Sequence, residues 1–232
     1  MQEKAAVVIV AAGSSRRMQG KDKLWLPLAG RVTLAHTLEV FQHSPIIDAI
    51  ILVVNPERLD DASTLCAQED CSKVVSIIAG GTRRQDSVRI GLDTLALHNP
   101  ACRWVMIHDG ARPFITEELL ETGLQAALEH QAVVAAVPVK DTIKQVQNGR
   151  IYATLDRSQL WMIQTPQIFS FPLILQAHAS PLAQEDVTDD ATLLERMGQH
   201  VAVFPGSYTN IKITTQEDLL FAAALLQGHL EK

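Results

Sequence analysis

Residues 5–12 read AAVVIVAA, an apolar run with no polar face. A strand that alternates has one wet side. A strand that does not is buried on both, which in a globular protein means the interior of a parallel sheet with helices on each face. The residues that follow are small and cationic: Gly13, Ser14, Ser15, Arg16, Arg17 and Met18, with Lys21 and Lys23 just beyond. A buried strand opening into such a loop is how α/β proteins build anion sites, because free backbone N–H groups face the anion and small side chains let it approach. Cations add the charge a polyphosphate needs. The opening therefore points to a nucleotide. It is not a P-loop, since no G-x-x-x-x-G-K-[ST] is present, nor a dinucleotide fingerprint, since the second and third glycines of G-x-G-x-x-G are missing. A polar strand-to-helix loop with solvated arginines is the competing reading.

The rest of the chain alternates strand-like and helical patterns. Apolar runs at 46–54, 73–79, 104–108, 132–139 and 201–205 read as strands, with helices around 33–43, 57–70, 85–98, 116–130 and 171–178, from Thr188 to Met197, and from Thr215 to about Gln227. The alternation predicts an α/β fold with a doubly wound, mostly parallel sheet. It breaks at 140–157, where TIKQV (142–146) and IYATL (151–155) flank Asn148-Gly149, the strongest short hairpin signal. That segment reads as an antiparallel arm leaving the domain. An isolated hairpin is marginal in water, so the arm packs either on a second copy of the chain or back on its own domain. The expected organisation is one domain over 1–232 with 140–157 as a dimerisation arm.

At 232 residues the chain can bury one sizeable core. A formal net charge of −6 argues against a general nucleic-acid binder but not against a small anionic ligand, whose field is set locally. No apolar run reaches membrane-spanning length, and the N-terminus lacks signal-peptide order. Cys66, Cys71 and Cys102 are an odd number without C-x-x-C spacing, which suits a reducing cytoplasm and makes zinc or a disulfide framework unexpected.

Ligands of parallel α/β sheets sit beyond the carboxyl ends of the strands. Four polar clusters fall there: Gly13 to Lys23, Gly80 to Ser87, His108 to Pro113, and Asn210 to Ile213. Each has a plainer reading. Arg83 and Arg84 can be solvated. Asp109 can cap a turn, or hold a metal or a catalytic lysine. Lys212 alternates with Ile211 and Ile213 as in a short exposed strand. Glu185, Asp186, Asp189 and Asp190 resemble a metal cluster, but Asp189 and Asp190 suit the first turn of a helix better. His108 reads as a packed strand-end residue without a catalytic role.

In order along the chain, AAGSSRRM (11–18), GGTRRQDSV (80–88), HDGARP (108–113), VKDTIK (139–144), TLDRSQLW (154–161), QTPQ (164–167) and NIKIT (210–214) together resemble the 2-C-methyl-D-erythritol 4-phosphate cytidylyltransferases of the non-mevalonate isoprenoid pathway. The resemblance implies CMP transfer from CTP to methylerythritol phosphate, with Mg²⁺ carried mainly on the triphosphate and no protein metal site. It implies that Arg17 and Lys23 meet the CTP phosphates, and that Ala11, Ala12, Gly13, Gly81 and Ser87 meet the nucleotide. Asp109, Arg112, Thr165, Thr188 and Lys212 fall on the acceptor side. Thr142 and Arg157 match residues that an arm delivers into the neighbouring subunit of a homodimer. Arg17, Lys23, Arg157 and Lys212 are the catalytic set so implied. Two departures stand out: Ser15 replaces the usual second loop glycine, and Asp22-Lys23-Leu24 replaces the common P-K-Q. Lys21 and Lys23 are therefore both candidates for the loop lysine. A cytidylyltransferase for another polyol phosphate, such as ribitol 5-phosphate, and a non-catalytic nucleotide-binding subunit are the alternatives.

Overall fold

The structure, a computed structural model, describes residues 3–13 and 22–230. The first elements are β1 (Ala5–Ala11), a two-stranded ribbon of β2 (Pro27–Leu28) and β3 (Arg31–Val32), α1 (Thr33–His43), β4 (Ile47–Val54) and α2 (Leu59–Gln68). Then come β5 (Val74–Ala79), α3 (Arg84–His98), β6 (Trp104–Asp109), α4 (Glu117–His130) and β7 (Ala132–Pro138). The arm is β8 (Lys144–Gln147) and β9 (Arg150–Thr154), followed by β10 (Trp161–Ser170), α5 (Phe171–Ala179), α6 (Ala191–Arg196), β11 (Ala202–Pro205) and α7 (Gln216–Leu230).

The main sheet runs β11-β7-β10-β6-β1-β4-β5. β1 sits near its middle, paired in parallel with β4 and β6, and is buried along nearly its whole length as its unbroken apolar run requires. Successive side chains face opposite layers. Val7 and Ile9 join a cluster with α1, α2 and α4, whereas Ala6 and Val8 join another with α3, α5 and α6. In the second layer α3 comes close to the sheet, where a Cβ on Gly91 would lie 2.4 Å from Val8 Cγ1. From β1 the chain winds outward through β4 and β5. It then crosses back through α3 to β6 on the other side of β1. The direction of winding reverses between β1 and β6, and the crevice at such a reversal is where ligands bind.

Two expectations need correction. Trp161–Ser170, to which the sequence pattern assigns no strand, forms β10, antiparallel to both β6 and β7, so the sheet is mixed near one end. Its centre hides a buried strand behind polar letters: Gln164, Thr165 and Gln167 are buried and hydrogen-bonded. The helix expected from Thr188 begins only at Ala191. Asp189 caps it, accepting from the Thr192 backbone N–H at 3.1 Å, whereas Asp190 turns into the protein.

The hairpin forms as read. Asn148 (φ 51°) and Gly149 (φ 75°) are both left-handed, as a two-residue primed turn demands. Among the described residues β8 and β9 pair only with each other, and large apolar side chains on them stay open to solvent, Tyr152 at 74% and Ile151 at 67%.

Candidate active site

Two cavities meet at the reversal point. The larger, about 850 Å³, opens beyond the ends of β1, β5 and β6 and is lined by Ala11, Ala12, Gly13, Lys23, Gly81 and Ser87, among others. The smaller, about 260 Å³, is bordered by Arg112, Gln164, Thr165 and Thr188. Among the described residues, Arg84, Asp109 and Lys212 line both.

Backbone proximity shapes the larger cavity. A Cβ on Gly80 would fall 2.3 Å from Ala12 Cβ and 2.7 Å from Ser87 Oγ, so only glycine lets the β5–α3 loop lie against the β1 loop. Ser87 Oγ accepts from the Gly81 N–H (3.1 Å) and donates to the Arg83 carbonyl (3.2 Å), which leaves it one lone pair. Arg83 itself pairs with Asp86 and Asp186 at the exposed start of α3.

Asp109 is the hub. Its side chain is 10% exposed; Oδ1 accepts from Arg84 Nε at 3.0 Å, Oδ2 lies 2.7 Å from Lys212 Nζ, and Arg112 Nε stands 3.9 Å away. Burial would push the Asp109 carboxyl up, but Arg84 and Lys212 outweigh it and hold the group well below the usual carboxylate range. It is an anion tied to cations, unsuited to donating or accepting protons near neutrality. Arg84, Arg112 and Lys212 against Asp109 and Asp190 leave this salt-bridged set net positive; Asp189 also borders the smaller cavity, while Lys23 and Arg83 add cations to the larger one.

Lys212 is placed by an irregular segment rather than the short strand its alternation suggests. The Ile213 N–H donates to the Ala111 carbonyl (2.9 Å), and Ile213 packs with Leu28 and with Ala222 of α7. Buried Asn210 donates to the Thr165 carbonyl (2.9 Å), and Arg112 Nη1 donates to the Asn210 carbonyl (2.7 Å). Arg112 Nε is buried and finds no hydrogen-bond acceptor among the described residues.

His108 packs at the end of β6, as read. It is fully buried beside Phe41, with Thr165 Oγ1 3.2 Å from Nδ1 and the Arg112 carbonyl 3.1 Å from Nε2. Because Thr165 Oγ1 accepts from the Asp109 N–H (3.1 Å), its own proton goes to Nδ1 and the Nε2–H faces Arg112. Thr165 thus holds the Asp109 backbone as well as bordering the smaller cavity. Burial pushes the His108 imidazole down to about 4. Between pH 6.5 and 4 the unfolded chain takes up a proton there that the folded chain refuses, so stability falls with pH across that window, by about 3 kcal/mol for this group. Urea unfolding at pH 7 and 4.5 should show a smaller acid loss in His108→Asn than in the wild type. An equal loss would assign the effect to another group.

Of the residues expected to form the site, Ala11, Ala12, Gly13, Lys23, Gly81, Ser87, Asp109, Arg112, Thr165, Thr188 and Lys212 border these two connected cavities. Arg17 and Lys21 lie outside the described residues. Thr142 and Arg157 border neither cavity. Both are exposed, and Arg157 Nη1 donates to the Lys140 carbonyl at the arm's root (2.7 Å). Arg84 was readable only as one of two adjacent arginines at a helix start. Nothing local told it from Arg83, and its partners Asp109 and Asp190 are 25 and 106 positions away.

Comparison with known proteins settles the family. The family model for IspD, 2-C-methyl-D-erythritol 4-phosphate cytidylyltransferase, matches residues 5–228. The chain belongs to that family. It is 46% identical over 228 residues to the 2-C-methyl-D-erythritol 4-phosphate cytidylyltransferase of Dehalococcoides mccartyi, covering 98% of each chain. It is 48% identical over 227 residues to that of Syntrophotalea carbinolica, covering 95% of each. Among solved structures, 4-diphosphocytidyl-2C-methyl-D-erythritol synthase from Anaerococcus prevotii superimposes with a TM-score of 0.85 at 35% identity, over 97% of this chain and 96% of that one. The chain is therefore an enzyme of the cytidylyltransferase class, with the family's mostly parallel sheet and its hairpin. No helix among the described residues is long and apolar enough to cross a membrane.

Proposed function

We propose that this enzyme transfers CMP from CTP to 2-C-methyl-D-erythritol 4-phosphate, releasing pyrophosphate and forming 4-diphosphocytidyl-2-C-methyl-D-erythritol for isoprenoid precursor synthesis. The observation that carries this is the junction of a nucleotide-sized and a smaller cavity at Arg84, Asp109 and Lys212, a cationic meeting point for two polyanions. CTP occupies the larger cavity, with its phosphates towards Lys23; the family resemblance assigns Arg17, outside the described residues, to the same phosphates. The acceptor occupies the smaller, with Asp109, Thr165 and Thr188 around its hydroxyls and Lys212 and Arg112 on its phosphate.

An acceptor phosphate oxygen attacks the α-phosphorus, and pyrophosphate leaves in line. The acceptor phosphate is already largely dianionic at neutral pH, so no strong general base is needed. This agrees with Asp109 being fixed as an anion. Catalysis then consists of positioning and of stabilising developing charge. Mg²⁺ enters with CTP as part of the substrate. The triphosphate supplies most of its ligands, since Asp109 is already held by Arg84 and Lys212.

A homodimer completes the site. Thr142 and Arg157 sit on an exposed arm away from their own cavities, and exposed Trp161 and Met162 at the start of β10 lie next to the arm in sequence. Docking both arms by one two-fold axis covers these apolar groups and delivers the partner subunit's Arg157 to the acceptor phosphate. The whole chain acts as one nucleotidyltransferase domain with its dimerisation arm. It takes small-molecule substrates rather than nucleic acid or membrane, in the cytoplasm, where three free thiols are at home.

Pyrophosphate release with CTP or UTP, against methylerythritol phosphate, ribitol 5-phosphate or no acceptor, tests this assignment. CTP with methylerythritol phosphate is expected to give the highest turnover by a wide margin. UTP is expected to fail because the remaining lone pair of Ser87 Oγ suits cytosine's 4-amino donor, whereas uracil presents a carbonyl there. A preference for ribitol 5-phosphate, or equal use of UTP, would refute it.

A further inference from the structure

Asp109 and Lys212 face the acceptor in the reaction above and Arg84 adds charge at the junction, whereas the groups that hold Arg84 have no part in it. Arg84 opens α3 and lines both cavities. Its Nε meets Asp109, and its Nη1 donates to Asp190 Oδ2 at 2.7 Å. Asp190 is fully buried and lines neither cavity. Its other oxygen lies 3.1 Å from Nε2 of His178 on α5, a side chain only 2% exposed. The Asp190 backbone is fixed as well: its N–H donates to Gln167 Oε1 (3.1 Å), and Gln167 Nε2 donates to Asp189 (2.9 Å). The chain of contacts thus runs from the interior of α5 through Asp190 and Arg84 to Asp109 and Lys212.

Ion pairs this deep add little net stability over apolar side chains of the same volume, because desolvation offsets the attraction. What they supply is direction. With one edge of its guanidinium held by Asp190, Arg84 presents the other to Asp109 Oδ1, while Lys212 takes Oδ2. An Arg84 without Asp190 would keep its charge and lose its orientation, and both Asp109 and Lys212 would be free to shift.

We propose that the buried Asp190–His178 pair is a positioning device for the acceptor side of the site, clamping Arg84 so that Asp109 and Lys212 stand where methylerythritol phosphate binds. It rests on the reaction assigned above, so wild-type turnover of CTP with that acceptor is measured first. Its absence would overturn the reaction, and with it the purpose of the clamp, before any variant is compared.

Asp190→Asn, His178→Leu and His178→Gln are then assayed well below their melting temperatures. Asp190→Asn should lower kcat/KM for the acceptor roughly 10- to 100-fold, the range seen when a group that orients a site residue is removed. CTP affinity, measured by calorimetry without acceptor, should fall at least several-fold less than acceptor kcat/KM, because Arg84, Asp109 and Lys212 only edge the larger cavity, whose lining by Ala11, Ala12, Gly13 and Gly81 is unchanged. His178→Leu should show the same selective loss. His178→Gln, whose amide can donate to Asp190, should restore most of it. A merely structural role would lower the melting temperature without singling out the acceptor. A folded Asp190→Asn with unchanged acceptor kcat/KM, or with acceptor and CTP affected alike, overturns the proposal. If Asp190→Asn does not fold, the His178 pair decides: a selective loss in Leu recovered in Gln supports the clamp, and any other pattern overturns it.

Discussion

Lys212→Ala is expected to fold and to lose roughly a hundredfold or more in kcat, the scale on which removing one preorganised charge from a transition state is felt. Folding should survive because Asp109 keeps Arg84 at 3.0 Å and Arg112 nearby, so no buried carboxylate is left alone. Activity should not survive, because Lys212 lines both cavities and its ammonium stands where the proposed reaction brings the two phosphates together. Lys23→Ala should lose a comparable factor through the triphosphate, with the loss growing as ionic strength falls. Steady-state kinetics beside circular dichroism checks both. Near-normal turnover in Lys212→Ala would remove it from the reaction, and near-normal turnover in Lys23→Ala would move the loop role to Lys21.

The second large effect is a recovery. If the arms are exchanged as proposed, Arg157→Ala should damage the site of the neighbouring chain and Lys212→Ala its own, and each variant alone should be nearly inactive. In a mixed dimer both lesions fall in one site and the other is intact. Random assortment after co-refolding should therefore return about a quarter of wild-type activity. No recovery, with mixed dimers present by native mass spectrometry, would mean that the arm serves its own chain. The exposed Ile151 and Tyr152 faces motivate the experiment, since an arm with 67% and 74% exposure there has surface to bury.

Elements with one dominant pattern were legible in the sequence. The unbroken apolar run of β1, the Asn148-Gly149 turn and the Thr116 cap of α4, whose side chain accepts from the Leu119 N–H at 3.2 Å, each follow from local chemistry. β10 was not legible, because its buried Gln164, Thr165 and Gln167 answer to partners elsewhere: the Ser207 carbonyl, His108 and Asp189. Polar residues that complete a network look like loop in one dimension. A register shift between Ile163 and Gln167 also breaks the ladder where the strand meets the site. The same limit applies to Asp190, which reads as a helix-start residue until α5 brings His178 against it. Most residues that the family's motifs name border the two cavities, because such motifs pair distant segments in advance. They did not mark Arg84, whose role depends on a contact across 106 positions.

The central claim is that a phosphate oxygen of methylerythritol phosphate displaces pyrophosphate from the α-phosphorus of CTP. Incubation with CTP carrying ³²P at the α-position tests it most directly. The label is expected to move into a product containing both cytidine and the methylerythritol diphosphate bridge, with unlabelled pyrophosphate released in equal amount. Label appearing only as free CMP, or in no product of the acceptor, would contradict it.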